Sequence, residues 1–258
     1  MGDEMDDAGV DTWKEGFFIR SYDVDLHGKA FLPVLLSFMQ EAASNHVDSL
    51  QVGFSHLEEM NRFWVLSRIR IDIERYPTWG ERVRLLTCHA GQDRLFGLRE
   101  FRVTDDQKEV VVSAISAWLM LDRSTRRPIK PSELYSKLNI PLGYSHNSRP
   151  LEKLPEVEGM DGEAQHQVQY TDLDVNDHVN NARYVEWVLN TYARQHIQDH
   201  EVSRCEMNFL AECGHGEDIV ICTEKRDDGS FLHSLVKRNA GTEVCRVLLG
   251  WRSVIPQA

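Results

Sequence analysis

One succession of structural signals runs through this chain twice, and that repetition constrains the fold more than any single motif. In the first pass "GFFIRSYDVD" (16–25) has strand character, and "FLPVLLSFMQEAASNHVDSL" (31–50) carries apolar residues at 35, 38, 39, 42, 43 and 47, the spacing of a helix. Four strands follow. The clearest lies within "FWVLSRIRIDIERY", where Ile69, Ile71 and Ile73 fall on one face and Arg68, Arg70 and Asp72 on the other. "PTWGE" (77–81) supplies turn chemistry, and "RVRLLTCHA", "RLFGLREFRVTD" and "EVVVSAISAWLMLD" complete the set. In the second pass "QHQVQYTDLD" reads as a strand and "ARYVEWVLNTYARQHI" as a helix. "RCEMNFLAEC", "EDIVICTEKRD", "SFLHSLVKRN" and "EVCRVLLGWRSV" then form four strands. "SYDVD" (21–25) is echoed by "YTDLD" (170–174), each just ahead of its half's helix.

A long apolar helix followed by consecutive antiparallel strands buries its stripe by having the sheet wrap around it, an α+β arrangement. Its appearance twice predicts an internal duplication, a tandem double hotdog in which each half is a long helix wrapped by an antiparallel sheet. The length of 258 residues accommodates two such domains. The expected boundaries are an acidic tail at 1–15, an N-terminal hotdog at 16–135, a Pro-, Gly- and Ser-rich linker at 136–163 and a C-terminal hotdog at 164–258. A single irregular α+β domain is the alternative.

Composition removes several function classes. No apolar stretch approaches the ~20 residues that span a bilayer. The opening "MGDEMDDAGVD" fits neither a secretory signal nor a basic transit peptide, and Asp6 stands where a myristoylation signal needs Ser or Thr. Five cysteines without a CxxC pair suit reduced thiols in a cytosol-like compartment. A net charge of −12 disfavours nucleic acid as a partner. Two basic clusters, "RSTRRPIK" (123–130) and Arg94, Arg99 and Arg102, read by default as solvated faces.

The densest chemistry lies in "DLDVNDHVNN" (172–181). Asp172, Asp174 and Asn176 match positions one, three and five of a calcium loop, but Asp177 replaces the required glycine and Arg183 the required glutamate. Zinc lacks support because His178 has no His or Cys at ligand spacing, so no metal or other cofactor is expected. Asp174, Asn176 and His178 alternate, and an extended segment would aim all three at one face beside the start of the following helix. A carboxylate, a carboxamide and an imidazole so placed can activate water and polarise a thioester or ester carbonyl. An Asx-rich turn and helix cap uses the same residue types and is the structural alternative.

"DLDVNDHVNNARYVEWVL" resembles the signature of the acyl–acyl carrier protein thioesterases, the plant plastid enzymes and their bacterial relatives. "IRSYDVD", "SFMQEAASNHVDSLQVG", "FWVLSRIRIDIERYPTWGERV", "WLMLDRSTRRPIKP" and "FLAECG" resemble family segments in family order, covering most of residues 17–254. The resemblance implies tandem hotdogs and hydrolysis of fatty acyl–acyl carrier protein to free fatty acid and carrier protein. It also implies catalysis in the C-terminal half, with the acyl chain held by the N-terminal half. Family roles fall on Asp174, Asn176, His178, Glu212 and Cys213, with the attack made either by a cysteine or by a carboxylate-assisted water. On a strand, Glu212 and Cys213 face opposite ways, and the alternation Met207, Phe209, Ala211 groups Cys213 with the core. That grouping favours Glu212 while leaving a Cys–His–Asn arrangement open.

The N-terminal counterpart has Asp23, Asp25 and His27 without an intervening asparagine, so the chemistry is expected in one half only. Leu35, Leu36, Phe38, Met39, Trp64 and Trp79 suit either core packing or an acyl tunnel. An acidic enzyme meets an acidic carrier through a local positive patch, for which Arg123, Arg126, Arg127 and Lys130 are the candidates. An acyl-coenzyme A thioesterase, a hydratase and a silent lipid-binding module are the rival readings on the same fold. The expected setting is the cytoplasm, or the plastid stroma for a mature plant protein. No stable membrane association is expected, and either a monomer or a homodimer fits.

Overall fold

The computed structural model describes residues 12–138 and 151–254. Its first half runs β1 (Thr12–Phe18), α1 (Leu32–Ser49), the short α2 (Phe54–Glu59), β2 (Arg62–Ile73), β3 (Arg82–Asp93), β4 (Phe96–Thr104) and β5 (Val110–Asp122). The two-residue β6 (Pro128–Ile129) and α3 (Pro131–Leu138) close it. The second half runs β7 (Gly162–Gln167), α4 (Asn181–Leu189), α5 (Arg194–Asp199), β8 (His200–Phe209), β9 (Asp218–Lys225), β10 (Phe231–Lys237) and β11 (Glu243–Ser253). The strands join in one antiparallel sheet, ordered β1-β3-β4-β5-β2-β8-β11-β10-β9-β7, with β6 beside β5. The halves meet where β2 pairs β8, from Arg68 opposite Asn208 to Asp72 opposite Arg204.

The alternation in β2 explains its place at the centre. Ile69, Ile71 and Ile73 are at most 2% exposed and pack with Leu35, Leu36, Met39 and Ala42 of α1 in a core that continues into the second half. Pro33 in the first turn of α1 costs no hydrogen bond there and presets the helical φ. The duplication extends to backbone detail. Asp25 N–H donates to Lys29 O (2.8 Å), Phe31 N–H to Asp23 O (2.8 Å) and Ala30 N–H to Pro77 O (2.8 Å). In the second half Asp174 donates to His178 O (2.8 Å), Asn180 to Asp172 O (2.8 Å) and Val179 to Cys213 O (2.9 Å).

Three boundaries differ from the sequence reading. Residues 12–15, placed in the tail, belong to β1, which pairs β3 from Thr12 opposite Cys88 to Phe18 opposite Arg82. Residues 1–11 lie outside the described residues. The linker is shorter than 136–163, since 136–138 end α3, 162 and 163 begin β7, and 139–150 lie outside the described residues. Its remaining part is a strap on the sheet's outer face. Leu154 N–H donates to Asn208 Oδ1 (2.7 Å), and Arg246 Nη1 donates to Leu154 O (2.8 Å), so the strap pairs polar groups that face away from the core.

The helix expected over 182–197 is broken between α4 and α5. Tyr192 turns inward, its hydroxyl 2.8 Å from His233 Nε2 and its ring centroid 4.7 Å from that of Trp251. Burying that ring outweighs continuing a helix of ordinary propensity.

Candidate active site

The segment 174–178 is a tight turn rather than the extended run its alternation suggested. Leu173 bridges Val179, Asp177 N–H donates to Asp174 O (3.1 Å), and Asp177 adopts φ +60°, which Asp tolerates better than most residues. Asp174 Oδ1 accepts the Asn176 N–H at 2.8 Å, so this carboxylate forms the Asx turn that was the structural alternative. Asn180 caps α4, its Oδ1 accepting the Ala182 N–H (2.9 Å), so that donor at the helix start is already engaged. The turn nevertheless presents Asp174, Asn176 and His178 to one cavity.

Glu212 reaches the same place from the exit of β8. That strand ends at Phe209, and the Leu210 and Ala211 N–H groups both donate to Val244 O (2.9 and 3.3 Å), which resets the alternation. The bond from Val179 N–H to Cys213 O (2.9 Å) clips this loop to the turn. His178 Nε2 thereby lies 3.5 Å from Glu212 Oε2, and both side chains remain open to the cavity. Cys213 borders the same cavity, with its thiol turned to Glu217. It is 1% exposed, and burial together with its hydrogen bond to Glu217 pushes the thiol up to about 12.

The equivalent positions of the N-terminal half follow from the shared backbone bonds. His27 stands where the second half has Asn176, Lys29 where it has His178, and Tyr76 where it has Glu212. Lys29 Nζ is tied to Glu201 Oε2 at 2.5 Å, and Tyr76 is buried, its hydroxyl pushed far up by desolvation. A tethered ammonium and a neutral phenol cannot replace an imidazole facing a carboxylate.

The cavity holds about 1250 Å³. It opens at His178 and Glu212 and passes under α1, where Gln40 and Val47 line it, to Trp64, His89 and Arg99 in the N-terminal half. Of the tunnel candidates, Trp64 lines this space, Leu35, Leu36 and Met39 are fully buried core, Phe38 stacks on Phe17 at 4.2 Å, and Trp79 is 65% exposed. Arg123 and Arg126 stand at its mouth, while Arg127 and Lys130 are exposed beside them.

Sequence reasoning missed three groups. Arg126 Nη1 donates to Glu212 Oε1 (3.2 Å), a contact 86 residues apart that no local pattern signals. Gln40 Nε2 donates to Asn180 Oδ1 and Gln40 Oε1 accepts from Asn181 Nδ2, both at 3.4 Å, linking α1 to the start of α4. Arg99 was grouped with a solvated face but is 3% exposed. Its alternation with buried Phe101 and Val103 in "RLFGLREFRVTD" carried that signal.

Residues 10–137 match the model of the acyl-ACP thioesterase N-terminal domain and residues 157–253 that of the C-terminal domain. The chain belongs to the acyl-ACP thioesterase family. Among relatives of this thioesterase family, the palmitoyl-acyl carrier protein thioesterase of Gossypium hirsutum is 30% identical over 93% of this chain and 64% of its own length. The oleoyl-acyl carrier protein thioesterase of Coriandrum sativum is 28% identical over 93% of this chain and 77% of its own. The chain thus spans about two thirds to three quarters of these chloroplastic relatives. Among solved structures, the 12:0-ACP thioesterase of Umbellularia californica superposes with a TM-score of 0.82 at 26% identity, over 94% of this chain and 98% of that one. An acyl-ACP thioesterase of Bacteroides thetaiotaomicron gives 0.83 at 24%, over 93% and 98%, a likeness of fold.

Proposed function

We propose that this protein hydrolyses fatty acyl–acyl carrier protein thioesters to free fatty acid and carrier protein, in a compartment that keeps its five cysteines reduced, the cytoplasm or a plastid stroma. The observation that carries the reading is the His178–Glu212 pair, 3.5 Å apart on a cavity of about 1250 Å³ that extends into the N-terminal half. Glu212 accepts a proton from water as the water oxygen attacks the thioester carbonyl carbon. Asp174 holds the turn that presents Asn176 and His178 to that carbonyl. When the tetrahedral intermediate collapses, the C–S bond breaks and the pantetheine sulfur leaves with the proton that Glu212 took from the water. Cys213 takes no part, because its thiol stays protonated at neutral pH and faces Glu217 rather than His178.

The N-terminal half supplies the acyl tunnel and the C-terminal half the chemistry. Carrier protein docks against Arg123, Arg127 and Lys130, with Arg126 committed to Glu212. Reversing the charges of Arg127 and Lys130 raises the KM for carrier-bound substrate more than that for acyl-pantetheine, and equal effects on both remove this patch from docking. Incubation with a ladder of acyl–carrier protein substrates releases free fatty acid and exposed carrier thiol. Faster cleavage of acyl-coenzyme A, hydration of an enoyl chain, or binding without turnover would each replace this reading with one of its rivals.

A further inference from the structure

The inner end of the cavity is unlike its walls. Arg99 on β4 lines it while only 3% exposed, and no carboxylate is paired with the guanidinium among the described residues. Burial lowers its pKa to about 10, which leaves it protonated at neutral pH. Nη1 contacts His46 Nδ1 (3.0 Å) and Thr87 Oγ1 (3.0 Å), and Nη2 contacts His89 Nε2 (3.1 Å). A guanidinium only donates, so both imidazole nitrogens accept, and both rings are neutral on this side. These contacts use three of the five N–H groups, and the other two have no partner among the described residues.

The same logic fixes the neighbouring hydroxyl. With His89 Nε2 accepting, its Nδ1 carries the proton and points at Tyr135 Oη, 3.5 Å away. Tyr135 is thereby left with a proton to donate. Gly97 makes room for that hydroxyl, since a Cβ there would stand 2.4 Å from Tyr135 Oη and 3.4 Å from the Trp64 ring. The Trp64 indole N–H is also buried without a hydrogen-bond partner among the described residues. Unused donors therefore collect around one permanent cation, and an unpaired buried cation is costly. This recess sits three strands from β8, about 14 Å at the ~4.8 Å spacing of a sheet.

We propose that this recess recognises acyl chains carrying a hydrogen-bond-accepting oxygen, a carboxylate above all, at or near the end remote from the thioester. Arg99 and Tyr135 supply the donors, and Gly97 keeps the space open for them. The inference rests on the thioesterase reading for how the chain enters, and refines which chains are selected.

The test compares unsubstituted, ω-hydroxy and ω-carboxy acyl–carrier protein substrates over a range of lengths. At the length that reaches the recess, kcat/KM favours the ω-carboxy chain over its unsubstituted counterpart by about tenfold or more, the effect of one charge-assisted hydrogen bond. Arg99→Met abolishes that preference, and Tyr135→Phe, which removes a single oxygen, narrows it. Preference for unsubstituted chains at every length, or a preference untouched by both variants, overturns the proposal. If no thioester is cleaved, the proposed function fails separately. Calorimetry with an α,ω-dicarboxylic acid and the monocarboxylic acid of equal length then decides. Tighter dicarboxylate binding that weakens in Tyr135→Phe supports the recess, and equal affinities refute it.

Discussion

Replacing Cys213 with alanine separates the two chemistries open to this family. A thiol pushed up to about 12 is ionised in only about three molecules per 100,000 at pH 7.5. An ordinary cysteine near 8.5 would be about one tenth ionised, so the buried site sacrifices roughly 3,000-fold in thiolate. Its hydrogen-bond partner is the Glu217 carboxylate, which disfavours the anion further. Cys213→Ala should leave kcat/KM within about threefold of the parent. Because Cys213 is 1% exposed, losing the sulfur should cost about 1 kcal/mol through lost burial, lowering Tm by about 2–4 °C. Steady-state hydrolysis beside differential scanning calorimetry reads both quantities. A fall of more than about 100-fold in kcat with Tm preserved, or an acyl adduct trapped on Cys213, refutes the argument.

Gly97→Ala places a methyl 2.4 Å from Tyr135 Oη and should cost about 1–3 kcal/mol, measured by denaturant titration; unchanged stability would contradict the close approach. Asn180→Ala removes the α4 cap and should cost about 1 kcal/mol in the same assay. Asp23, 3% exposed and hydrogen-bonded to Arg20, has a folded pKa held below the usual carboxylate range. It therefore contributes stability above the unfolded pKa near 3.9, and that contribution is lost as pH falls through the lower folded value. Asp23→Asn should accordingly destabilise the protein at neutral pH and flatten its stability profile at acid pH.

The fold was legible because its strongest signals are local. The isoleucine alternation of β2 and the apolar stripe of α1 survive in the structure with the faces they declare. β1 was trimmed because "TWKE" earns its strand only by pairing with β3, more than 60 residues away. Tyr192 broke a helix through contacts with β10 and β11 that its own neighbours do not encode. In the candidate site, the residues that meet at the cavity were readable but their geometry was not. Asp174 satisfies its own turn, which replaced the extended run, and Glu212 meets His178 only because a bulge and a backbone clip aim it there. Arg99 was misread because clustering in sequence outweighed its alternation with Phe101 and Val103.

The hydrolytic role of the facing imidazole and carboxylate is tested most directly by measuring fatty acid released from acyl–carrier protein by His178→Ala and Glu212→Gln. Both side chains are about half exposed, 42% and 50%, so either variant should fold with an unchanged melting temperature. Each should lose about 1,000-fold or more in kcat, and the double variant little beyond the worse single one, because the two groups act as a unit. Turnover close to the parent's in both variants would contradict the account.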